Sequence, residues 1–139
     1  MLTTSHRSYF HAAHRLYNSA WTAAKNEAVF GPCANANWHG HNFELVVTVK
    51  GQPQNGSGYV IDPSQLHHLV QQEVIDLLDQ KNINEDVPFM ANKMTSCEVL
   101  VTEIWKILSP KISELATNAQ LHALRLYETE KNFVECTAH

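Results

Sequence analysis

The chain has 139 residues, of which 44% are hydrophobic, and its formal net charge is −4. This length predicts a single domain over residues 1–139, and the apolar content argues against a disordered chain. The mild negative charge, with no run among the ten Lys and Arg residues, argues against nucleic acid as a partner. No stretch reaches the roughly 20 apolar residues of a membrane helix, and no signal-peptide core is visible, so we expect a cytoplasmic protein without a membrane span.

The numbers of cysteines and histidines indicate which redox state and which kinds of site to expect. Cys33, Cys97 and Cys136 form no CxxC pair, and an odd count is typical of reduced thiols. Nine histidines are more than a chain of this size usually carries, although some, such as His67 and His68, have the character of surface residues.

The first part of the chain is predicted to hold two strands with a loop between them. Residues 8–16 are extended, and residues 17–38 form the loop, with Gly31-Pro32 as its clearest break. The second strand runs through residues 39–49, and glycines and a proline in residues 51–58 indicate a hairpin turn into a short strand at residues 59–61. Strand alternation in residues 39–49 places six side chains on one face, namely His39, His41, Phe43, Leu45, Val47 and Val49.

Two helices and two strands follow. Asp62-Pro63 is typical of a helix start, and it precedes an apolar stripe of Leu66, Leu69, Val70, Val74, Leu77 and Leu78. The S/T-x-x-E pattern at residues 95–98 predicts a capping box for a second helix, which should end before Pro110. Residues 121–128 are extended again, and residues 132–136 can return as their hairpin partner. The order β-β-α-α-β-β predicts an α+β domain with both helices on one face of a four-stranded antiparallel sheet.

Three histidines are candidates for one metal site. His39 and His41 are two residues apart on a strand, so their Cβ atoms should lie roughly 6–7 Å apart on the same face. Gly40 between them carries no side chain on the opposite face. His14 ends the preceding strand, and antiparallel pairing could bring it alongside. Three neutral nitrogens with an open fourth position are typical of catalytic zinc, whereas the alternative is a set of ordinary surface histidines.

Three further residues have both a functional and an ordinary interpretation. Cys33, six residues before His39, could be a base or nucleophile if a nearby cation lowered its pKa, or else an inert buried thiol. Glu128 ends an apolar strand and could be either a ligand-binding residue or an ordinary strand-end carboxylate. Asp79, at the end of the first helix, could orient another group or cap backbone amides.

Six segments in order resemble the 6-pyruvoyltetrahydropterin synthase family. The resemblance as a whole extends over about residues 8–136, and because six ordered motifs are hard to obtain by chance, it is specific. The segments are Phe10-His11-Ala12-Ala13-His14-Arg15-Leu16, Cys33-x5-His39-Gly40-His41-Asn42-Phe43, Gly58-Tyr59-Val60-Ile61-Asp62, Leu78-Asp79-Gln80-Lys81-Asn82, Thr95-Ser96-Cys97-Glu98 and Tyr127-Glu128-Thr129.

The resemblance implies a fold, an assembly and a role for each matched residue. The fold would be the tunnelling fold, assembled as a hexamer of two stacked trimers with active sites between subunits. His14, His39 and His41 would hold Zn²⁺, and Cys33 would be the general base. Glu128 would anchor the pterin, because a carboxylate can accept two hydrogen bonds from a 2-amino-pyrimidinone edge. Thr95, Ser96 or Cys97 would help to hold the pterin, and Asp79 would belong to a proton relay.

The implied reaction is a zinc-dependent elimination of triphosphate from 7,8-dihydroneopterin triphosphate. The five-residue gap between Cys33 and His39 resembles the pyruvoyl-forming branch of tetrahydrobiopterin biosynthesis. The alternative is the 6-carboxytetrahydropterin synthases of queuosine biosynthesis, which have a shorter gap, or another cleavage of the side chain.

One departure from the family concerns the proton relay. Most relatives have His directly after the helix-ending Asp, where this chain has Gln80, and glutamine cannot carry a proton near neutral pH. The residue could mark a slower enzyme, a different cleavage or a relay completed by another group. His11 could be that group, but strand alternation points it away from His14. A non-catalytic pterin-binding relative is a second alternative, and a structural zinc protein with a fourth protein ligand is a third.

Overall fold

The computed structural model describes residues 1–36 and 38–138 and has the predicted α+β architecture. Among these residues, no helix is both long and apolar enough to cross a membrane. Short 3₁₀ turns lie at Gly31–Ala34 and Pro88–Met90, and a π-helical turn, Gln71–Ile75, joins two helices. The elements in chain order are β1 (Leu2–His14), α1 (Ala23–Phe30), β2 (His39–Gly51), α2 (Pro63–Val70), α3 (Asp76–Leu78), β3 (Lys81–Asn82), α4 (Ile83–Asp86), α5 (Cys97–Leu115), β4 (Ala119–Tyr127) and β5 (Phe133–Thr137).

The sheet has five strands in the order β3-β1-β2-β4-β5. Strands β1, β2, β4 and β5 are antiparallel neighbours, as predicted, whereas β3 pairs in parallel with Ala12 and Ala13 at the outer edge of β1. The prediction of four antiparallel strands is therefore corrected to a mixed sheet of five. Strand β3 has only two residues, which is too short to show any periodicity in the sequence.

The hydrophobic core lies between one face of the sheet and the long helices. Alternate residues of β1 and β2 are buried, including Phe10 and Phe43, whose rings stack at 4.8 Å. Tyr9 and His11, one residue to either side of Phe10 on β1, are exposed on the other face. The helices contribute the predicted stripe, except that Leu77 is exposed, and the core includes Leu66, Val70, Val74, Leu78, Leu100, Ile104, Leu108 and Ile112.

Two predictions for the connections are wrong. Residues 17–38 are not all loop, because Thr22 caps a two-turn helix, α1, by accepting a hydrogen bond from the Lys25 backbone N–H. Residues 59–61 do not form a strand. Asn118 instead holds this segment by donating from Nδ2 to the carbonyl oxygens of Gln52 and Val60, so a side chain replaces the ladder that a strand would need.

The long helix begins within the predicted residues 95–98, but its predicted capping box and its predicted end are wrong. Ser96, not Thr95, is the N-cap of α5, since its hydroxyl accepts from the Val99 N–H, so Glu98 does not complete a capping box. The helix continues through Pro110 to Leu115. Proline removes one main-chain hydrogen bond, but Ile112 beyond it is fully buried, and this burial favours continuation of the helix.

We expect Ile112→Ala to lower the free energy of unfolding by about 2–5 kcal/mol, because it leaves a cavity in the core. The matched control is Leu115→Ala on the same helix, where the side chain is 38% exposed, with an expected cost of about 1 kcal/mol or less. Urea unfolding followed by circular dichroism measures both. Equal small effects would mean that the helix ends before Pro110.

Candidate metal centre

The pairing of β1 with β2 brings three histidines together on the core-facing side of the sheet. His14 lies directly opposite His39, and Ala12 lies opposite His41. The three rings lie side by side, with centroids 4.6 Å apart for His14 and His39, 4.9 Å for His39 and His41, and 5.2 Å for His14 and His41. The small side chain of Ala12 leaves room for the His41 ring. The alternation seen in the sequence therefore places all three imidazoles at one end of the sheet.

Glu128 reaches the same point from the other end of the chain. It follows β4 directly, and its backbone N–H donates to the Asn132 carbonyl in the turn before β5. Its Oε1 atom lies 3.1 Å from His41 Nε2 and 3.3 Å from His14 Nε2. One ligand atom from each of His14, His39, His41 and Glu128 lies within 4.8 Å of all the others. We call these four residues the histidine–glutamate cluster.

His14 is held in one tautomer. Its side chain is 1% exposed, and its Nδ1 atom lies 2.8 Å from the Thr95 carbonyl oxygen. A carbonyl oxygen can only accept, so Nδ1 carries the proton and the neutral ring has its lone pair on Nε2. Metal-binding histidines commonly donate their other ring N–H to a backbone carbonyl in this way, which fixes the ring orientation.

The ring nitrogens of the cluster are arranged to bind a metal ion rather than to form hydrogen bonds with one another. Among the residues that the structure describes, His14 Nε2, His41 Nε2 and both ring nitrogens of His39 have no hydrogen-bond partner. Buried polar atoms rarely lack partners. Three imidazole nitrogens and a carboxylate oxygen are a donor set that zinc accepts. These residues therefore fit a bound metal.

Burial favours the neutral form of the three histidines, which is the form that binds metal ions. The pKa of His14 is lowered, mainly because burial disfavours the charged ring, although the Thr95 carbonyl opposes this effect. Burial likewise lowers the pKa of His39, with His41 adding to the shift, and the pKa of His41, where Glu128 opposes the shift. Metal binding requires the unprotonated imidazole, so these shifts leave the ligands available at neutral pH.

The sequence did not indicate how His14 is supported. Asn84 Oδ1 accepts from the Arg15 N–H, and Asn84 Nδ2 donates to the Arg15 carbonyl oxygen. The Thr95 hydroxyl lies 3.1 Å from both that carbonyl oxygen and Asn84 Oδ1. Asn84 and Thr95 thus link the residue after His14 to the segment that starts α5. No periodicity or spacing marks Asn84, because its partners are mostly main-chain atoms.

The three candidate pterin contacts before and at the start of α5 differ in their surroundings. The Thr95 hydroxyl is taken up by the contacts with Arg15 and Asn84, and Ser96 caps α5. The buried Cys97 lies beside Glu128, and both line a small cleft of about 90 Å³ next to Phe133. Burial, with Glu128 adding to it, raises the pKa of the Cys97 thiol, so this thiol is un-ionised.

The candidate proton-transfer residues lie outside the histidine–glutamate cluster. Cys33 is half-buried on the turn Gly31–Ala34, and its carbonyl oxygen accepts from the Leu16 N–H. Asp79 lies at the outer edge of β1, where its Oδ1 accepts from the backbone N–H of His11, and the Gln80 N–H donates to the His11 carbonyl oxygen. Gln80 has a positive φ of 61°.

His11 points away from the histidine–glutamate cluster, as predicted. Its ring lies against Gly40 on the opposite face, where a Cβ atom at position 40 would be 3.2 Å from His11 Nε2. Its Nδ1 atom lies 2.9 Å from Asn42 Oδ1. Asp79 thus accepts its hydrogen bond from the His11 backbone N–H, whereas the His11 imidazole pairs with Asn42.

Comparisons with known proteins agree on one family. The family model described as 6-pyruvoyl tetrahydropterin synthase matches residues 3–139. The 6-pyruvoyl tetrahydrobiopterin synthase of Pongo abelii is 34% identical over 130 residues, which cover 94% of this chain and 87% of that protein. The protein of the same name from Dictyostelium discoideum is 34% identical over 128 residues, which cover 92% and 90%. The structure of Caenorhabditis elegans 6-pyruvoyl tetrahydropterin synthase has a TM-score of 0.88 at 28% identity, covering 99% of this chain and 96% of that chain.

We expect the purified protein to bind about one zinc ion per chain and to lose thermal stability when a chelator removes it. Binding to the folded state alone contributes about 2.7 kcal/mol when free zinc is about 100 times the Kd. His39→Ala should abolish this stabilisation, whereas His68→Ala, an exposed histidine outside the cluster, should keep it. Metal analysis and thermal unfolding with and without zinc measure both effects. Equal zinc content in the two variants would contradict the assignment.

Proposed function

Because the chain belongs to the 6-pyruvoyl tetrahydropterin synthase family, we propose that it is a lyase that acts on 7,8-dihydroneopterin triphosphate and eliminates triphosphate. The observation that carries this proposal is the convergence, beside a carboxylate, of three histidines whose inward nitrogens have no hydrogen-bond partner in the described part of the chain. His14, His39 and His41 are the proposed zinc ligands. When bound, zinc would act as a Lewis acid on the hydroxyl-bearing side chain of the substrate.

Glu128 is the proposed anchor for the pterin ring. The planar 2-amino-pyrimidinone edge offers two neighbouring N–H donors, which match the two oxygens of one carboxylate. The position of Glu128 supports this role, because it lies beside the cluster and also lines the cleft with Cys97 and Phe133. A ring held there would direct its side chain towards the proposed ligands. Cys97 is the member of the residues 95–97 group whose side chain is next to Glu128.

Cys33 is the proposed general base. Its thiolate Sγ would remove a proton from a hydroxyl-bearing side-chain carbon. No external oxidant is required, because the four electrons from oxidation of the two hydroxyl-bearing carbons are taken up within the substrate. Two electrons reduce the dihydropterin ring, and two reduce the terminal side-chain carbon, whose bond to the leaving triphosphate is replaced by a bond to hydrogen. Asp79 is the proposed relay carboxylate, and Gln80 occupies the adjacent position without being able to transfer a proton itself.

A second copy of the chain is part of this proposal. Asp79 and Gln80 lie along the outer edge of β1 and contact the backbone of His11, whose ring occupies the face opposite His14. Residues on that edge could reach the pterin of a neighbouring subunit, which supports active sites between subunits in a hexamer.

The three free thiols support a reducing compartment, the cytoplasm.

Two alternatives follow from particular residues. Gln80 favours either a different cleavage of the same substrate, as in a 6-carboxytetrahydropterin synthase of queuosine biosynthesis, or a pterin-binding protein without turnover. Cys33 argues against simple binding, because binding alone needs no thiol at this position. A purely structural zinc site would use Glu128 as a permanent fourth ligand and would have no affinity for pterins.

The test of the function is triphosphate release from 7,8-dihydroneopterin triphosphate by the zinc-loaded protein. We expect wild type to release triphosphate and Cys33→Ala to be slower by about 100-fold or more, because a positioned base typically contributes that much. Cys136→Ala, a half-buried thiol on β5, is the matched control and should match wild type. Gln80→His should be faster than wild type, since it restores a proton carrier beside Asp79.

Chromatography of the pterin product separates the alternatives. A 6-pyruvoyl product supports the proposal, and a 6-carboxy product supports the other branch. Pterin binding without turnover in wild type, with turnover gained in Gln80→His, would establish the non-catalytic alternative. Absence of both pterin binding and turnover would refute the proposed substrate.

A further inference from the structure

The contact between Glu128 and His14 is not a hydrogen bond. His14 donates from Nδ1 to the Thr95 carbonyl, so the Nε2 atom that faces Glu128 bears a lone pair. Glu128 Oε1 lies 3.3 Å from this nitrogen. Two acceptor atoms therefore face each other at van der Waals distance, beside a buried ring. This arrangement is repulsive unless a cation lies between them.

Glu128 and His41 also approach each other without forming a hydrogen bond. Oε1 lies 3.1 Å from His41 Nε2, yet this nitrogen has no hydrogen-bond partner among residues 1–36 and 38–138. Ligand atoms at about 2.0–2.2 Å from a tetrahedral zinc ion are separated from one another by about 3.3–3.6 Å. The two observed separations lie at or just below this value. The carboxylate oxygen thus occupies the position expected of a fourth ligand relative to two imidazole nitrogens.

We propose that Glu128 is the fourth protein ligand of the metal while no pterin is bound, and that it leaves this position when it binds the pterin. The first half depends only on the histidine–glutamate cluster. The second half rests on the proposed function, which assigns Glu128 to the pterin. The two tasks compete because the pterin edge needs both carboxylate oxygens, including Oε1.

The surroundings of Glu128 allow the side chain to change partners. Its side chain is 28% exposed, unlike the buried His14. It belongs to the histidine–glutamate cluster on one side and lines the cleft with Cys97, Asn132 and Phe133 on the other. On the cleft side, the Glu128 carboxylate is also close enough to the Cys97 thiol to accept a hydrogen bond from it, so a rotation about its side-chain bonds would carry it from the histidines towards the cleft.

The proposed exchange would make access to the metal depend on recognition of the pterin ring. Four protein ligands are typical of closed zinc sites, whereas three leave a position for catalysis. A site that Glu128 closes at rest would open only when the pterin draws the carboxylate away. The residue that recognises the ring would thereby also control access to the metal, and other hydroxyl-bearing molecules without a pterin edge would meet a closed site.

The resting ligation can be tested with Co²⁺ as the metal, because its visible absorption reports coordination. The proteins are wild type, Glu128→Gln, Glu128→Ala and the matched control Glu130→Gln, an exposed carboxylate two residues away. We expect the intense bands of a four-coordinate site in wild type and Glu130→Gln, and weaker, shifted bands in both Glu128 variants as solvent replaces the carboxylate. The Co²⁺ Kd should rise at least about tenfold in the Glu128 variants, since even the loss of a residue that only orients a ligand has that effect.

Identical spectra and affinities in all four proteins would overturn the resting ligation. Circular dichroism of the metal-free proteins shows whether the variants are folded. The Glu128→Gln variant keeps the side-chain shape, so a loss of ligation there is not explained by a cavity.

The exchange is tested by adding 7,8-dihydroneopterin to Co²⁺-loaded wild type, with binding measured separately by calorimetry. We expect the bands to change in proportion to bound pterin. Pterin binding without any change in the bands would overturn the exchange. No pterin binding would overturn both the exchange and the proposed substrate, while the comparison of Glu128 and Glu130 variants would still decide the resting ligation.

Discussion

The antiparallel register of β1 against β2 is the constraint on which the histidine–glutamate cluster depends. It pairs His14 with His39 and Ala12 with His41, and it stacks Phe10 on Phe43 one step deeper in the core. Side chains alternate between faces with a period of two, so a slip of one residue would turn His14 towards the opposite face. The same slip would expose the phenylalanines. The same strand register therefore buries the phenylalanines in the core and brings the three imidazoles together.

Burial of His14 ties the sheet to the long helix. An imidazole buried at 1% exposure needs a partner, and the Thr95 carbonyl, one residue before the N-cap of α5, provides it. Asn84 and the Arg15 backbone hold Thr95 in turn. This network selects the tautomer of His14 and so aims its lone pair at the cluster. The first turn of α5 also places Cys97 beside Glu128, which connects the helix start to the proposed pterin contact.

Within one chain, the proposed metal ligands and the proposed proton-transfer groups occupy different places. His14, His39 and His41 face the core, whereas Asp79 and Gln80 lie along the outer edge of β1. The connection between the two regions runs through a single strand, with His11 and His14 pointing to opposite faces. This division is consistent with the proposed sites between subunits.

The sequence by itself determined the elements with strong periodicity and the residues that share a face. Alternation in residues 39–49 placed His39 and His41 with the core side chains, and the Asp62-Pro63 start was confirmed. Only the tertiary structure decided the approach of Glu128 to the histidines, the support of His14 by Thr95 and Asn84, and the continuation of α5 through Pro110. Periodicity reports which way a side chain points from its own element. The meeting of residues far apart in the chain depends on register, on main-chain carbonyls that every residue type carries, and on burial that outweighs local propensity.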